Sequence, residues 1–324
     1  MTQAPDLLRV VSVSGGKDST ATLLLALETC WLDDVRAVFA DTGNEHETTY
    51  EYVEYISEYF ERETGRRIET VRADFTKAMA DKRDKLLKIA AGVPESEIYG
   101  KRKFVHSWTP AAASRAAELL YPTGNVFLDL CMLRGGFPSR LRAFCTEELK
   151  QLPIMMNEQK LLETHRVESW QGVRGGESER RAKLAPYEWG PLLSTRRPIF
   201  YWDVARVFEQ HARHGIKPNQ LYLEGAARVG CMPCINSGKS DLSLIASRFP
   251  EHIDKVREYE RLVNMAARPC RTPYTFIHSS KAPGITGIDS AVQWAKTTHG
   301  GKQYDLLADA EDATQCSSEY GLCE

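Results

Sequence analysis

Strand-like and helix-like patterns alternate through residues 1–75. Leu7 to Ser14 is a β-branched, apolar run that Gly15 and Gly16 break, and from Asp18 to Thr29 the residues Leu23, Leu24 and Leu27 recur at helical spacing. Arg36 to Ala40 is a second short apolar run. From Thr48 to Arg62, the residues Tyr52, Tyr55, Ile56, Tyr59 and Phe60 fall at i, i+3, i+4, i+7 and i+8, which predicts an amphipathic helix. Ile68 to Val71 closes the set as a third strand. Strand, helix, strand, helix, strand with short connections predicts an α/β fold: a Rossmann-like, doubly wound, mostly parallel sheet, whose ligands bind beyond the carboxyl ends of the strands.

Residues 76–125 break that rhythm. They carry the charged run KAMADKRDKLLK, then Pro110 and the small-residue helix AAASRAAELL, and read as a helical insertion that caps the site. His165 to Val173 predicts another strand and Asp203 to His214 a helix. After Leu221 the composition shifts to Cys, Gly and Pro, a charged helix follows over Leu242 to Met265, and the stretch from Cys270 onward has few periodic runs, as expected of chain wrapped over a surface. The expected division is a nucleotide-binding α/β domain at 1–205, with its insertion at about 76–125, and a helical, cysteine-rich, metal-binding region at 206–324.

Composition narrows the function. The 324 residues are 42% hydrophobic and 27% charged, enough for one large or two smaller domains and too apolar for a disordered chain. A net charge of −2 excludes bulk positive charge as the means of holding duplex nucleic acid. The longest apolar run near the start, Ala21 to Leu27, is far short of the roughly 18 residues of a membrane span, and no signal segment precedes it. We read a soluble, cytoplasmic protein. In that setting the eight cysteines are not a disulfide framework. Cys30 and Cys131 sit in apolar surroundings and read as packing, whereas the clustering of cysteines toward the C-terminus reads as metal binding. His165, His211, His214 and His252 lack ligand spacing and read as strand or surface histidines.

The sharpest local signal is Ser14-Gly15-Gly16-Lys17-Asp18-Ser19-Thr20, placed between the first strand and the first helix. Two glycines let backbone approach a phosphate, the helix N-terminus favours an anion, and Lys17 and Ser19 add a charge and a hydroxyl. It is not a Walker A loop, because Asp18 follows Lys17 where that motif needs Ser or Thr. An ordinary capped Gly-Gly turn is the bland alternative.

This loop resembles the PP-loop of the adenine nucleotide alpha-hydrolase superfamily, which includes ATP pyrophosphatases, base-thiolating enzymes and the phosphoadenosine phosphosulfate (PAPS) reductase group. Three further segments extend the resemblance. Asp41-Thr42-Gly43-Asn44-Glu45 is similar to the DTGxE segment of PAPS reductase-like proteins, which lies near the nucleotide. Arg142 to Thr146 with Leu149, Lys150 and Pro153 resembles their CT-x-x-LK-x-x-P segment. Gly172-Val173-Arg174 with Glu177, Ser178 and Arg181 looks like their GxRxxESxxR segment, whose arginines would meet phosphates, a task suited to the planar guanidinium. Each has a plainer alternative: Asp41 and Glu45 as caps of the next helix, and Arg174, Arg180 and Arg181 as a solvated turn.

The second signal is Gly230-Cys231-Met232-Pro233-Cys234, with Cys316 and Cys323 near the C-terminus. A CxxC turn presents two thiolates to one soft metal, and a further pair would complete an iron–sulfur cluster or a zinc site; spacing alone does not separate these. The family resemblance implies a [4Fe-4S] cluster with Cys145, Cys231 and Cys234 as ligands and the fourth from Cys316, Cys323 or Cys270.

Sulfonucleotide reductases carry a degenerate loop, whereas every element of SGGKDS is present here. The resemblance therefore implies an ATP-cleaving enzyme that uses ATP with Mg2+, releases pyrophosphate and adenylates an acceptor for sulfur transfer. The acceptor would be tRNA or DNA, and a separate protein would donate sulfur. Lys17, Asp18 and Arg174 are the expected catalytic residues. Ser14, Gly15, Gly16, Ser19, Thr20, Asp41, Thr42, Gly43, Glu177 and Arg181 would complete the nucleotide site. The basic segments Lys101-Arg102-Lys103 and Arg134 to Arg142 read either as a local nucleic-acid groove or as a solvated face. Two alternatives stand beside this reading: a PAPS or APS reductase producing sulfite, and a module that binds nucleotide without turnover.

Overall fold

A computed structural model describes residues 6–100, 106–277 and 284–297. Lys101, Arg102, Lys103, Cys316 and Cys323 lie outside the described residues. The chain forms two compact units, the first from Met1–Ala73 and Thr146–Met232 and the second from Asp74–Cys145 and Pro233–Asp309. The boundary expected at residue 205 thus falls inside the first unit, and residues 206–232 belong with the sheet. Side chains of that stretch bond to the first helix, as described below, so packing rather than sequence order sets the division.

The first unit is a six-stranded sheet in the order β3-β2-β1-β4-β6-β5, formed by β1 (Leu7–Val13), β2 (Val35–Asp41), β3 (Glu69–Arg72), β4 (Arg166–Trp170), β5 (Tyr187–Glu188) and β6 (Leu193–Arg196). Every pairing is parallel except β5 with β6. The predicted mostly parallel α/β sheet is therefore present, and its short antiparallel edge was not anticipated. Alternation along β1 sends Val11 and Val13 into one core with Phe39, Trp170, Ile56 and Phe60, and Val10 into another with Val38, Ala40, Ile154 and Val167. Burial on both faces explains why these strands read as continuous apolar runs.

Among the described residues, α1 (Lys17–Thr29), α2 (Glu47–Thr64) and α3 (Leu152–Leu161) flank the sheet, and α4 (Val204–Arg213) packs on α1. Helix α2 buries Tyr52, Val53, Ile56 and Phe60 and ends on Gly65, whose φ of 71° admits the left-handed turn that closes it. Tyr55, expected on that face, is 38% exposed. Helix α4 starts at Asp203, whose carboxylate accepts the Arg206 N–H at 2.8 Å.

The second unit is helical. Thr76–Ala90 buries Met79, Leu86 and Ile89 and packs on Pro110–Leu119, where Ala112, Ala113, Ala116 and Ala117 let the two backbones approach. The charged segment, expected within a helical insertion, is a regular helix with a thin apolar stripe. The single helix expected over 242–265 is two, Lys239–Arg248 and Pro250–Ala266, because Pro250 fits only the first turn of a helix. A further helix, Ile288–Lys296, buries Ile288, Ala291, Val292 and Ala295. Among the described residues no helix is long and apolar enough to cross a membrane.

Candidate active site

Parallel strands order the site. The loops after β1, β2 and β4 leave the same edge of the sheet, and β1 lies between β2 and β4, where successive connections run to opposite sides. The three predicted nucleotide segments are these three loops.

The loop after β1 turns at Gly15, where φ is +79° and a Cβ would lie 2.8 Å from Thr49 Cγ2, so glycine is required there. Gly16 is the N-cap of α1. Ser19 folds back to brace the turn: its hydroxyl donates to Gly16 O at 3.1 Å, accepts the Ser14 N–H at 3.1 Å and lies 3.0 Å from Ser14 Oγ. The first turn of α1 is polar yet buried, with Lys17, Asp18, Ser19 and Thr20 all inside. Thr20 Oγ1 has no hydrogen-bond partner among the described residues. Buried polar groups at that density mark a site that stability alone does not explain.

Asp18 is fully buried and accepts Arg174 Nε at 2.8 Å, while Lys17 Nζ stands 3.8 Å from its other oxygen. Arg174 reaches Glu177 at 3.5 Å, and Glu177 pairs with Arg181. Lys17, Asp18, Arg174, Glu177 and Arg181 thus form a chain of alternating charge with a surplus of one positive charge. Arg174 and Arg181 are buried, so they are not a solvated turn; Arg180 is exposed and fits that description. The fit of the β4 loop against α1 depends on Gly172, where a Cβ would lie 2.8 Å from Ser19 Cα.

After β2, Asp41 accepts the Gly43 N–H and the Tyr50 hydroxyl, each at 2.8 Å. Glu45, 3% exposed, accepts from the Thr42 hydroxyl at 2.6 Å and from Tyr50 at 3.0 Å. Burial, then the charge of Glu45, drives the Tyr50 phenol well above its ordinary range, so it stays protonated and donates to both carboxylates. Neither acid caps α2: His46 does, accepting the Thr48 N–H on Nδ1 at 3.0 Å. The CxxC segment joins this loop through an antiparallel bridge between Glu45 and Cys231 and through the Met232 N–H to Asn44 O at 2.8 Å. Cys231 Sγ lies 3.5 Å from the Thr42 hydroxyl and 3.7 Å from a Glu45 oxygen. A small cleft among Val13, Ser14, Phe39, Ala40, Glu45, Lys150 and Gly230 connects the first two loops with the buried Lys150.

Three residues of the site carry no local signal in the sequence. Buried His211 approaches Lys17 O through Nε2 at 2.8 Å, Asn219 donates to Gly15 O at 3.3 Å, and the Tyr222 hydroxyl accepts the Lys17 N–H at 3.1 Å. A carbonyl only accepts, so Nε2 of His211 carries the proton. The reading of His211 as a strand or surface histidine is corrected accordingly.

The predicted metal ligands are distributed as follows. Cys231 belongs to the first unit, Cys145 and Cys234 to the second, and Cys316 and Cys323 lie outside the described residues. Cys234 accepts the Asn236 N–H on its sulfur at 3.4 Å, an environment suited to a metal-bound thiolate. Cys131 is fully buried, as its packing role requires, and burial pushes its thiol up. Arg134, Arg140 and Arg142 are exposed.

A family model described as the phosphoadenosine phosphosulfate reductase domain matches residues 9–90 and 136–237, more than half of the chain and all four of the segments above. The chain belongs to this family. The internal stretch between the two matched segments, 91–135, belongs to the helical unit. A protein of Escherichia phage 186, described as an uncharacterized 37.8 kDa protein in the gpa 5' region, is 43% identical over 99% of this chain and 98% of its own length. A protein of Methanocaldococcus jannaschii is 26% identical over 79% of this chain, which spans 43% of that relative. Among solved structures, phosphoadenylyl-sulfate (PAPS) reductase from Candida auris in its phosphate complex aligns with a TM-score of 0.38 at 16% identity, covering 71% of this chain and 83% of that one.

Proposed function

We propose that this member of the PAPS reductase family is an ATP pyrophosphatase that adenylates an acceptor for sulfur transfer, with a nucleic-acid base or backbone as the acceptor. The observation that carries the reading is the complete SGGKDS loop, with Lys17 and the N-terminus of α1 set around the buried Asp18–Arg174 pair. ATP enters with Mg2+ as substrate. An acceptor oxygen attacks the α-phosphorus, the bond from that phosphorus to the bridging oxygen breaks, and pyrophosphate leaves with the electron pair. A sulfur nucleophile then displaces AMP from the adenylated acceptor.

In this scheme the positive end of α1 and the Lys17 ammonium offset the charge that builds on the departing pyrophosphate. Asp18 holds Lys17 and Arg174 in place, and Arg181 acts through Glu177. The CxxC thiols of Cys231 and Cys234 fit a soft metal centre in donor chemistry, and the N–H···S bond at Cys234 supports this. A bound [4Fe-4S] cluster, or zinc in its place, would supply sulfur coordination or structural closure.

The family description itself favours a second reading, reduction of PAPS or APS to sulfite. Competition among ATP with Mg2+, APS and PAPS for anaerobically purified protein, with pyrophosphate and sulfite assayed in parallel, separates the two. Preference for ATP with acceptor-dependent pyrophosphate release is expected. Preference for PAPS or APS with sulfite release assigns a reductase, and ATP binding without turnover assigns a nucleotide-binding module.

A further inference from the structure

The side chains that reach the loop from residues 211–222 do two different things. His211 and Asn219 engage carbonyls, of Lys17 and Gly15 respectively. A phosphate has no use for a carbonyl, so these two brace the loop whether or not it is filled. Tyr222 instead takes a donor, the N–H of Lys17 at 3.1 Å. Lys17 is the first residue of α1, and its amide is one of those a helix leaves open at its N-terminus, where anion oxygens bind. The Lys17 ammonium also stands 5.2 Å from the centre of the Tyr222 ring. One side chain therefore engages both the amide and the charge that a phosphate would use.

We infer that Tyr222 is a displaceable occupant of the phosphate cradle, its hydroxyl keeping the place of a phosphate oxygen until a phosphate-bearing ligand takes it. The inference rests on the reading of the loop as phosphate-binding. One N–H directed at one oxygen does not serve a second at full strength, so ligand and tyrosine compete. A charged phosphate oxygen bonds more strongly there than a neutral phenol. Tyr222 is half-buried on a single helical turn, Gln220–Leu223, and Gly225 follows at φ +96°, so a change in the Tyr222 rotamer or in this short turn is all that its displacement asks. Displacement lowers affinity for every oxyanion at this amide. Inorganic phosphate, with few other contacts to offset the loss, is disfavoured relative to a pyrophosphate group.

Tyr222→Phe keeps the ring and removes only the oxygen. In calorimetric titration of the full chain with inorganic pyrophosphate, the variant is expected to bind roughly three- to tenfold more tightly than the wild type, because no phenol oxygen then competes with the ligand for the Lys17 N–H. A residue that merely props the loop gives the opposite sign. Ultraviolet difference absorbance gives a second readout: pyrophosphate should perturb a tyrosine in the wild type and lose that signal in Tyr222→Phe. Equal or weaker binding by the variant, or a wild type without the tyrosine signal, overturns the assignment of Tyr222 alone. Absence of pyrophosphate binding in both proteins overturns the phosphate reading of the loop and this inference with it.

Discussion

Arg174 Nε and Asp18 Oδ1 lie 2.8 Å apart with both side chains buried, joining the loop after β4 to the first turn of α1 across 156 positions of sequence. A buried carboxylate is tolerable only with such a partner, and removal of one member of a buried pair costs about 3–5 kcal/mol. Arg174→Ala is therefore expected to destabilise the sheet unit by about that amount and to abolish nucleotide binding. Arg174→Lys should rescue only part, since a point charge does not reproduce Nε donation to Asp18 together with the reach to Glu177. Denaturant unfolding followed through buried Trp170 measures this. A double-mutant cycle with Asp18→Asn should show coupling of at least about 1 kcal/mol, and additive effects would refute the pairing.

Gly172 tests the same junction sterically. An added methyl group would meet Ser19 Cα at 2.8 Å and Ser19 N at 2.9 Å, both backbone atoms that do not swing aside. Gly172→Ala should cost about 1–3 kcal/mol and weaken nucleotide binding by displacing the loop. Gly176 is its control, because nothing lies within 4 Å of a Cβ there. Gly176→Ala should stay within about 0.5 kcal/mol of the wild type. Similar melting curves for the two variants would show that the close approach is not needed.

What the sequence made legible follows the range of the interactions. The strands and first two helices could be placed because their cause is local: apolar runs broken by Gly15 and Gly16, and the spacing of Tyr52, Ile56 and Phe60. The three loops of the candidate site could be placed because their residues form contiguous motifs. His211, Asn219 and Tyr222 could not, since each acts on a loop some 200 positions away and nothing nearby distinguishes it from an ordinary polar residue. The segment around Thr76–Ala90 could be read as helical but its bounds could not, since its charges leave only Met79, Leu86 and Ile89 to mark the buried stripe. The two units were hidden because the chain leaves the sheet at residue 74, returns at 146 and leaves again at 233.

The CxxC segment carries a prediction of its own. Cys231 is tied to the β2 loop by its bridge to Glu45, so a metal held there would stiffen that loop as well as its own turn. Cys231→Ser is expected to lose iron, or zinc, in anaerobically purified protein and to lower the melting temperature by several degrees. Cys30→Ser, a half-buried thiol packed beside the sheet core, should leave metal content unchanged. Equal metal content in Cys231→Ser and wild type would remove Cys231 from the ligand set.

Glu158 supplies a pH test that needs no ligand. It sits on α3 with 1% exposure, and burial raises its carboxyl from 4.5 to about 7, against a smaller opposing effect of the Ser169 hydroxyl. The sign follows from proton counting. Between pH 4.5 and 7 the folded chain holds a proton here that the unfolded chain has released, so stability falls as pH rises through that window and levels off above it. The full shift corresponds to about 3 kcal/mol, present as stability in acid and absent at pH 8. Glu158→Gln keeps the shape and removes the titration. Relative to wild type it should gain stability progressively from pH 5 to pH 8, with the difference reaching its plateau just above neutrality. Unfolding free energies measured at unit pH intervals decide the matter, and parallel profiles for the two proteins would show that Glu158 ionises in the folded chain as it does in water.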